Sequence, residues 1–198
     1  MFTGIVQKTG KIKKIEGDTF TITSDLNLEN LDIGGSIALN GTCLTIISLQ
    51  KKSFSIQVTP ETLKKTNLKY LKSEDIVNLE TPLKMNSGLD GHMVQGHIDG
   101  TAVITKITPD KNSIYITIKT ETKLMSYVCE KGYVAVDGVS LTIVNCTDDE
   151  FTVSIIPYTK KSTVFSINKL GDIVNIEVDI ISKYVEKLLQ KNRKTGVK

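Results

Sequence analysis

Two short phrases hold the side chains whose types and spacing could do chemistry. Residues 40–46 read NGTCLTI and residues 137–143 read DGVSLTI. Each begins with a turn-forming Asn-Gly or Asp-Gly, followed by polar side chains two positions apart: Cys43 and Thr45, then Ser140 and Thr142. Positions i and i+2 of a strand face the same way, so each pair presents a thiol or hydroxyl beside a second hydroxyl. Such groups hydrogen-bond a ligand's polar edge, or pass a proton when a base stands nearby. From the residues alone, ordinary strand hydroxyls are an equal reading. A hydrolase-type Gly-x-Ser nucleophile does not fit, because Leu141-Thr142 replaces the glycine required after the serine.

The phrase recurs because the chain does. An offset of 97 (138 − 41) aligns Gly41 with Gly138, Leu44 with Leu141, Phe54 with Phe151 and Pro60 with Pro157, and runs ungapped to DIVNLE (75–80) against DIVNIE (172–177). At the start, an offset of 92 (93 − 1) aligns Met1–Val6 with Met93–Ile98, so the second copy carries a small early insertion. The unit is domain-sized, far beyond the roughly 20–50 residues of a solenoid repeat. We expect a first domain over 1–91, a second over 92–178, and a terminal segment over 179–198. The join falls in TPLKMNSGLDG (81–91), where Pro82, Gly88 and Gly91 interrupt regular structure.

Each copy reads as β. Alternating or β-branched runs occur at 20–24, 36–39, 43–49, 54–59 and 76–80. Asn40-Gly41 and Asp137-Gly138 are hairpin turns, since those turns require positive φ. Pro60 and Pro157 end strands and open one or two helical turns. About six strands per copy point to a small closed barrel, which leaves no open edges. The period then changes: Ile180, Ile181, Tyr184, Val185, Leu188 and Leu189 form an amphipathic stripe behind an Asp179 cap. That helix packs either on its own barrel or against another subunit.

Composition narrows the partners. A net charge of +3 spread along the chain gives no nucleic-acid footprint, and no tryptophan with eleven scattered Phe and Tyr gives no stacking platform. No apolar run is long enough for a bilayer, and MFTGIVQKTG has neither a charged leader nor an apolar signal core. Cys43, Cys129 and Cys146 are odd in number and far apart, which argues against a disulfide framework or zinc site and for a reducing cytoplasm.

MFTGIV, NGTCLTI, GHMVQGHIDG (91–100), KGYVAVDGVSLTI (131–143) and VNIEVD (174–179), in this order and at this spacing, resemble the riboflavin synthase family from end to end. The resemblance implies an all-β fold of two tandem homologous six-stranded antiparallel Greek-key barrels plus a C-terminal α-helix that holds a homotrimer together. It implies dismutation of two 6,7-dimethyl-8-ribityllumazine molecules, in pockets that face one another between subunits. No cofactor or metal is implied, and association with a lumazine synthase capsid is left open.

Site residues follow from the same resemblance, position by position. The first pocket takes Cys43, Leu44 and Thr45 with Gln57, Val58, Thr59, Pro60, Glu61 and Thr62. The second takes Ser140, Leu141 and Thr142 with Ser154, Ile155, Ile156, Pro157, Tyr158 and Thr159, together with Lys131. Gly96, His97 and Ile98 are assigned to the second barrel, and Gly4, Ile5 and Val6 complete a pocket. His97, Ser140, Cys43 and Asp179 are the candidate catalytic groups. Asp179 could equally serve only as the helix cap, and His92 reads as a structural histidine. Tyr158 departs from the family's usual glutamate, which puts a carboxylate contact in the second pocket in doubt. The rival reading is a lumazine- or flavin-binding antenna protein on the same duplicated barrel. Retention of Cys43 and Thr45 in one half, and of His97, Ser140, Thr142 and Asp179 in the other, favours the enzyme.

Overall fold

The computed structural model describes residues 1–195, with side chains described through Gln190; the end of the basic tail lies outside the described residues. Six strands build each half. The first half contains β1 (Lys8–Glu16), β2 (Thr19–Ser24), β3 (Ser36–Leu39), β4 (Thr42–Gln50), β5 (Ser53–Gln57) and β6 (Ile76–Glu80). The second contains β7 (Gly100–Asp110), β8 (Ser113–Lys119), β9 (Tyr133–Val136), β10 (Val139–Cys146), β11 (Glu150–Ile155) and β12 (Ile173–Val178). Each set closes into an antiparallel barrel of the same order, β1-β2-β5-β4-β3-β6 matching β7-β8-β11-β10-β9-β12. The strand pair β2–β5, reached over an intervening hairpin, makes each barrel a Greek key.

Alternation sorts the side chains. Leu44 and Ile46 point into the first lumen, and Leu141 and Ile143 into the second. There they join buried layers that include Phe54 and Phe151, so the lumens are packed cores and not ligand cavities. Cys43, Thr45, Ser140 and Thr142 therefore lie on the outer barrel walls. The bulges repeat as well, at Ile12/Lys14 and Ile104/Lys106, and at Ile46/Ser48 and Ile143/Asn145. The second copy's insertion is spread over a longer β7–β8 hairpin and a short helix, α2 (Thr122–Met125), which follows the first short helix, α1 (Pro60–Lys65).

The hairpin tips join the barrels. Asn40 and Gly41 have φ of 44° and 77°, and Asp137 and Gly138 have 45° and 78°, as a two-residue primed turn demands. A Cβ on Gly41 would lie 2.6 Å from the Gly138 nitrogen, so the two tips touch at a pseudo-twofold axis. Around them the Asn78 side chain donates to the Asp137 carbonyl (2.9 Å) and the Asn175 side chain to the Asn40 carbonyl (2.8 Å). These bonds satisfy buried turn carbonyls that would otherwise lack partners.

Pro157 opens α3 (Pro157–Ser162), and the last described element is α4 (Ile180–Thr195). Its apolar stripe does not pack on its own barrel: Tyr184 is 62% exposed and Leu188 64%. Among the described residues no helix is long and apolar enough to cross a membrane.

Candidate active site

The N-terminal segment and its counterpart in the second copy change places. Phe2 and Val94 pair antiparallel, with the Phe2 amide donating to the Val94 carbonyl at 2.7 Å and the return bond at 3.2 Å. Both side chains are buried between the barrels with Ala38 and Ala135. The exchange carries Gly4 to the second barrel, where its carbonyl accepts from the Ser140 amide at 2.8 Å. It carries Gly96 to the first barrel, where its carbonyl accepts from the Cys43 amide at 2.9 Å. Both glycines have positive φ, and a Cβ on either would lie 2.6 Å from the Cβ of Ser140 or Cys43. Only glycine fits this approach.

This corrects the grouping of His97 with Ser140. Gly96, His97 and Ile98 line the first barrel's face beside Cys43, with His97 exposed. Gly4, Ile5 and Val6 line the second barrel's face beside Ser140. The physical reason is the Phe2–Val94 pairing, which buries both strands between the barrels and delivers each triplet to the opposite side.

The imidazole at Ser140 belongs to His92. Its Nδ1 lies 2.7 Å from the Ser140 Oγ. The ring is buried and stacks on Tyr133, with centroids 5.2 Å apart and planes at 12°. Its Nε2 is buried with no hydrogen-bond partner among the described residues. Burial pushes the His92 pKa below the ordinary histidine value, while the Asp179 charge opposes that shift. With the ring proton on Nε2 the Ser140 hydroxyl donates to Nδ1, and with it on Nδ1 the ring donates to the Ser140 oxygen; the 2.7 Å geometry serves either tautomer. Sequence reasoning took His92 as a structural histidine, because its partner is 48 positions away.

The remaining groups fall around these two faces. Thr45 pairs with Gln57 across β4–β5, placing Gln57 beside the Cys43 face. Val58 is buried; the Thr59 side chain accepts from the Thr62 amide and caps α1, with Pro60 and Glu61 exposed in its first turn. On the second face Thr142 pairs with Tyr133, and Lys131, exposed at φ 65°, donates its amide to the Ile143 carbonyl. Ser154 and Ile155 end β11; Ile156, Pro157 and Thr159 follow around the start of α3, and Tyr158 stands 78% exposed. Asp179 does act as a cap, its carboxylate accepting from the Ile181 amide at 3.0 Å, while remaining close enough to bias His92. Among the described residues no three or more His, Cys, Asp or Glu side chains converge as metal ligands.

Comparison with known proteins places the same two halves. Residues 3–82 and 95–179 each match the lumazine binding domain family. A riboflavin synthase of Actinobacillus pleuropneumoniae is 47% identical over 96% of the chain and 91% of its own length. Those of Bacillus subtilis (strain 168) and Schizosaccharomyces pombe are 43% and 38% identical, each over 96% of the chain. Among solved structures, LumP complexed with riboflavin superposes with a TM-score of 0.83 at 27% identity, covering 90% of this chain and 99% of LumP. LumP complexed with 6,7-dimethyl-8-(1'-D-ribityl) lumazine gives 0.79 at 26%, with the same coverage.

Proposed function

The chain belongs to the riboflavin synthase family, and from that premise we propose that it dismutates two 6,7-dimethyl-8-ribityllumazine molecules. The products are riboflavin and 5-amino-6-ribitylaminouracil, formed by transfer of a four-carbon unit between two identical substrates. The observation that carries this reading is the pair of equivalent outer faces, each completed by a glycine triplet from the opposite half of the chain. Two similar pockets suit a reaction that consumes two identical molecules. Holding the rings against each other replaces an encounter by an intramolecular step, which can lower the barrier by roughly 7–11 kcal/mol.

The faces differ where the roles must differ. At the second, Ser140 and His92 form a hydrogen-bonded pair able to take or return a proton, with Thr142 and Lys131 alongside. At the first, Cys43 and Thr45 stand with His97, whose ring is exposed. One lumazine must lose a proton from its 7-methyl group and the other must be attacked at C7. The Ser140–His92 pair supplies the proton transfer on its side. Because both faces lie on outer walls, we assign their closure to neighbouring subunits. The exposed apolar stripe of α4 suits an interface between copies of the chain, and we assign the assembly as a homotrimer working in the cytoplasm.

The test is incubation of the purified protein, with no added cofactor, with 6,7-dimethyl-8-ribityllumazine. One riboflavin per two lumazines consumed is expected. Tight binding without turnover would overturn the enzyme reading and leave an antenna protein.

A further inference from the structure

Two buried glutamates hold the exchanged strands, each from the barrel opposite the face it serves. Glu80 ends β6, is 4% exposed, and lies 97 positions (177 − 80) before Glu177, which is 1% exposed on β12. Glu80 Oε1 accepts from the Thr3 amide (2.7 Å) and the Thr3 hydroxyl (2.9 Å), and Oε2 from the Gly4 amide (3.1 Å). Glu177 Oε1 accepts from the Gln95 amide (2.7 Å) and Oε2 from the Gly96 amide (2.9 Å). In both, the fork of one carboxylate takes two consecutive backbone N–H groups, which fixes a peptide's position and its orientation together.

What the fork fixes lies one bond from the candidate chemistry. Gly4, held at its amide by Glu80, presents its carbonyl to the Ser140 amide, and Gly96, held at its amide by Glu177, presents its carbonyl to the Cys43 amide. Glu80 belongs to the first barrel and Ser140 to the second; Glu177 and Cys43 are related in the opposite sense. Both carboxylates are nearly inaccessible and have their two oxygens engaged by backbone donors. Burial raises both carboxyls above the ordinary range, and the backbone donors oppose it. Burying a charge to hold a merely structural strand is unfavourable when an apolar contact would serve.

We propose that Glu80 and Glu177 are positioning residues that act crosswise, Glu80 setting the second-barrel pocket and Glu177 the first. The proposal rests on reading the outer faces as the lumazine pockets. An amide in place of either carboxylate would turn an N–H donor toward a backbone N–H, releasing one peptide of the triplet while keeping side-chain volume.

The experiment is an equilibrium titration with 6,7-dimethyl-8-ribityllumazine in two backgrounds. Thr142→Arg obstructs the second face and Thr45→Arg the first; both positions are exposed and remote from the cores. With the second face obstructed, Glu177→Gln should weaken binding by roughly tenfold or more and Glu80→Gln by less than about twofold; with the first obstructed, the order reverses. Amide exchange of the ligand-free variants gives a second readout: Glu177→Gln should accelerate Gln95 and Gly96 while leaving Thr3 and Gly4 unchanged. A loss that follows the glutamate's own barrel, equal losses in both backgrounds, or unchanged exchange overturns the proposal. An unsubstituted protein that binds no lumazine sinks the pocket reading, and the proposal with it.

Discussion

His92 Nδ1 and Ser140 Oγ lie 2.7 Å apart, on segments separated by 48 residues and brought together by the exchanged strand. A hydroxyl bonded to a buried imidazole acts as a unit, so losses at its members do not add. We expect Ser140→Ala and His92→Gln each to lower kcat by about 10²–10⁴-fold, the range for a positioned proton carrier. The double variant should fall no further than the worse single one. Steady-state kinetics of the three variants check this; multiplicative losses would assign the residues separate roles.

The same pair sets a pH dependence. Burial favours the neutral imidazole, so the His92 pKa is below its ordinary value. The ring therefore takes up its second proton less readily than an ordinary histidine, further to the acid side. The acid limb of kcat/KM should bend below the ordinary histidine range and change shape in His92→Gln. A limb at the ordinary value, unaltered by that substitution, would point to another group.

Gly4 and Gly96 tolerate no side chain. Each has positive φ, at 76° and 80°, and a Cβ would lie 2.6 Å from its neighbour's Cβ. Left-handed backbone alone costs roughly 1–2 kcal/mol for a non-glycine residue, and the clash adds to it. Gly4→Ala and Gly96→Ala should each destabilise by more than about 2 kcal/mol in denaturant unfolding. A change within about 0.5 kcal/mol would show that the strands do not seat as described.

Asp137 ties stability to pH. Complete burial raises its carboxyl from 3.8 to about 7, although the Asn175 amide and the Asn67 side chain donate to it. The fold prefers the protonated form, so that stabilisation is full below the unfolded value and is lost as pH rises toward 7. The first barrel carries Asn40 at the same place, with nearly the same φ. Asp137→Asn should therefore match the parent near pH 4 and exceed it in stability at pH 8. Parallel pH–stability curves for parent and variant would contradict this.

Much of the fold was legible because its signals are local. Asn40-Gly41 and Asp137-Gly138 announce positive φ in two residues, and β3 and β6 fall on their apolar runs. β1 was not located: KTGKIKKIE is lysine-rich, and the bulge at Ile12/Lys14 breaks its alternation. The site was legible in its residue types but not in its grouping. Ser140, Thr142, Cys43 and Thr45 share strand faces, which spacing reveals. The partnership of His92 with Ser140, and of Gly96 with Cys43, depends on Phe2 meeting Val94 across the barrels, which no local pattern encodes. Glu80 and Glu177 carry no local mark of their role; their recurrence in IVNLE and IVNIE was the available signal.

The most direct test of two unlike pockets that work as a pair between subunits is complementation. Thr45→Arg and Thr142→Arg proteins would be purified separately, then co-expressed and isolated as mixed assemblies. Each alone should be nearly inactive. In a mixed assembly, some junctions bring an intact first-barrel face from one subunit against an intact second-barrel face from another, so riboflavin formation should return to a substantial fraction of the parent rate. If mixed assemblies form and remain as inactive as either variant alone, the two faces do not meet across subunits and the account fails.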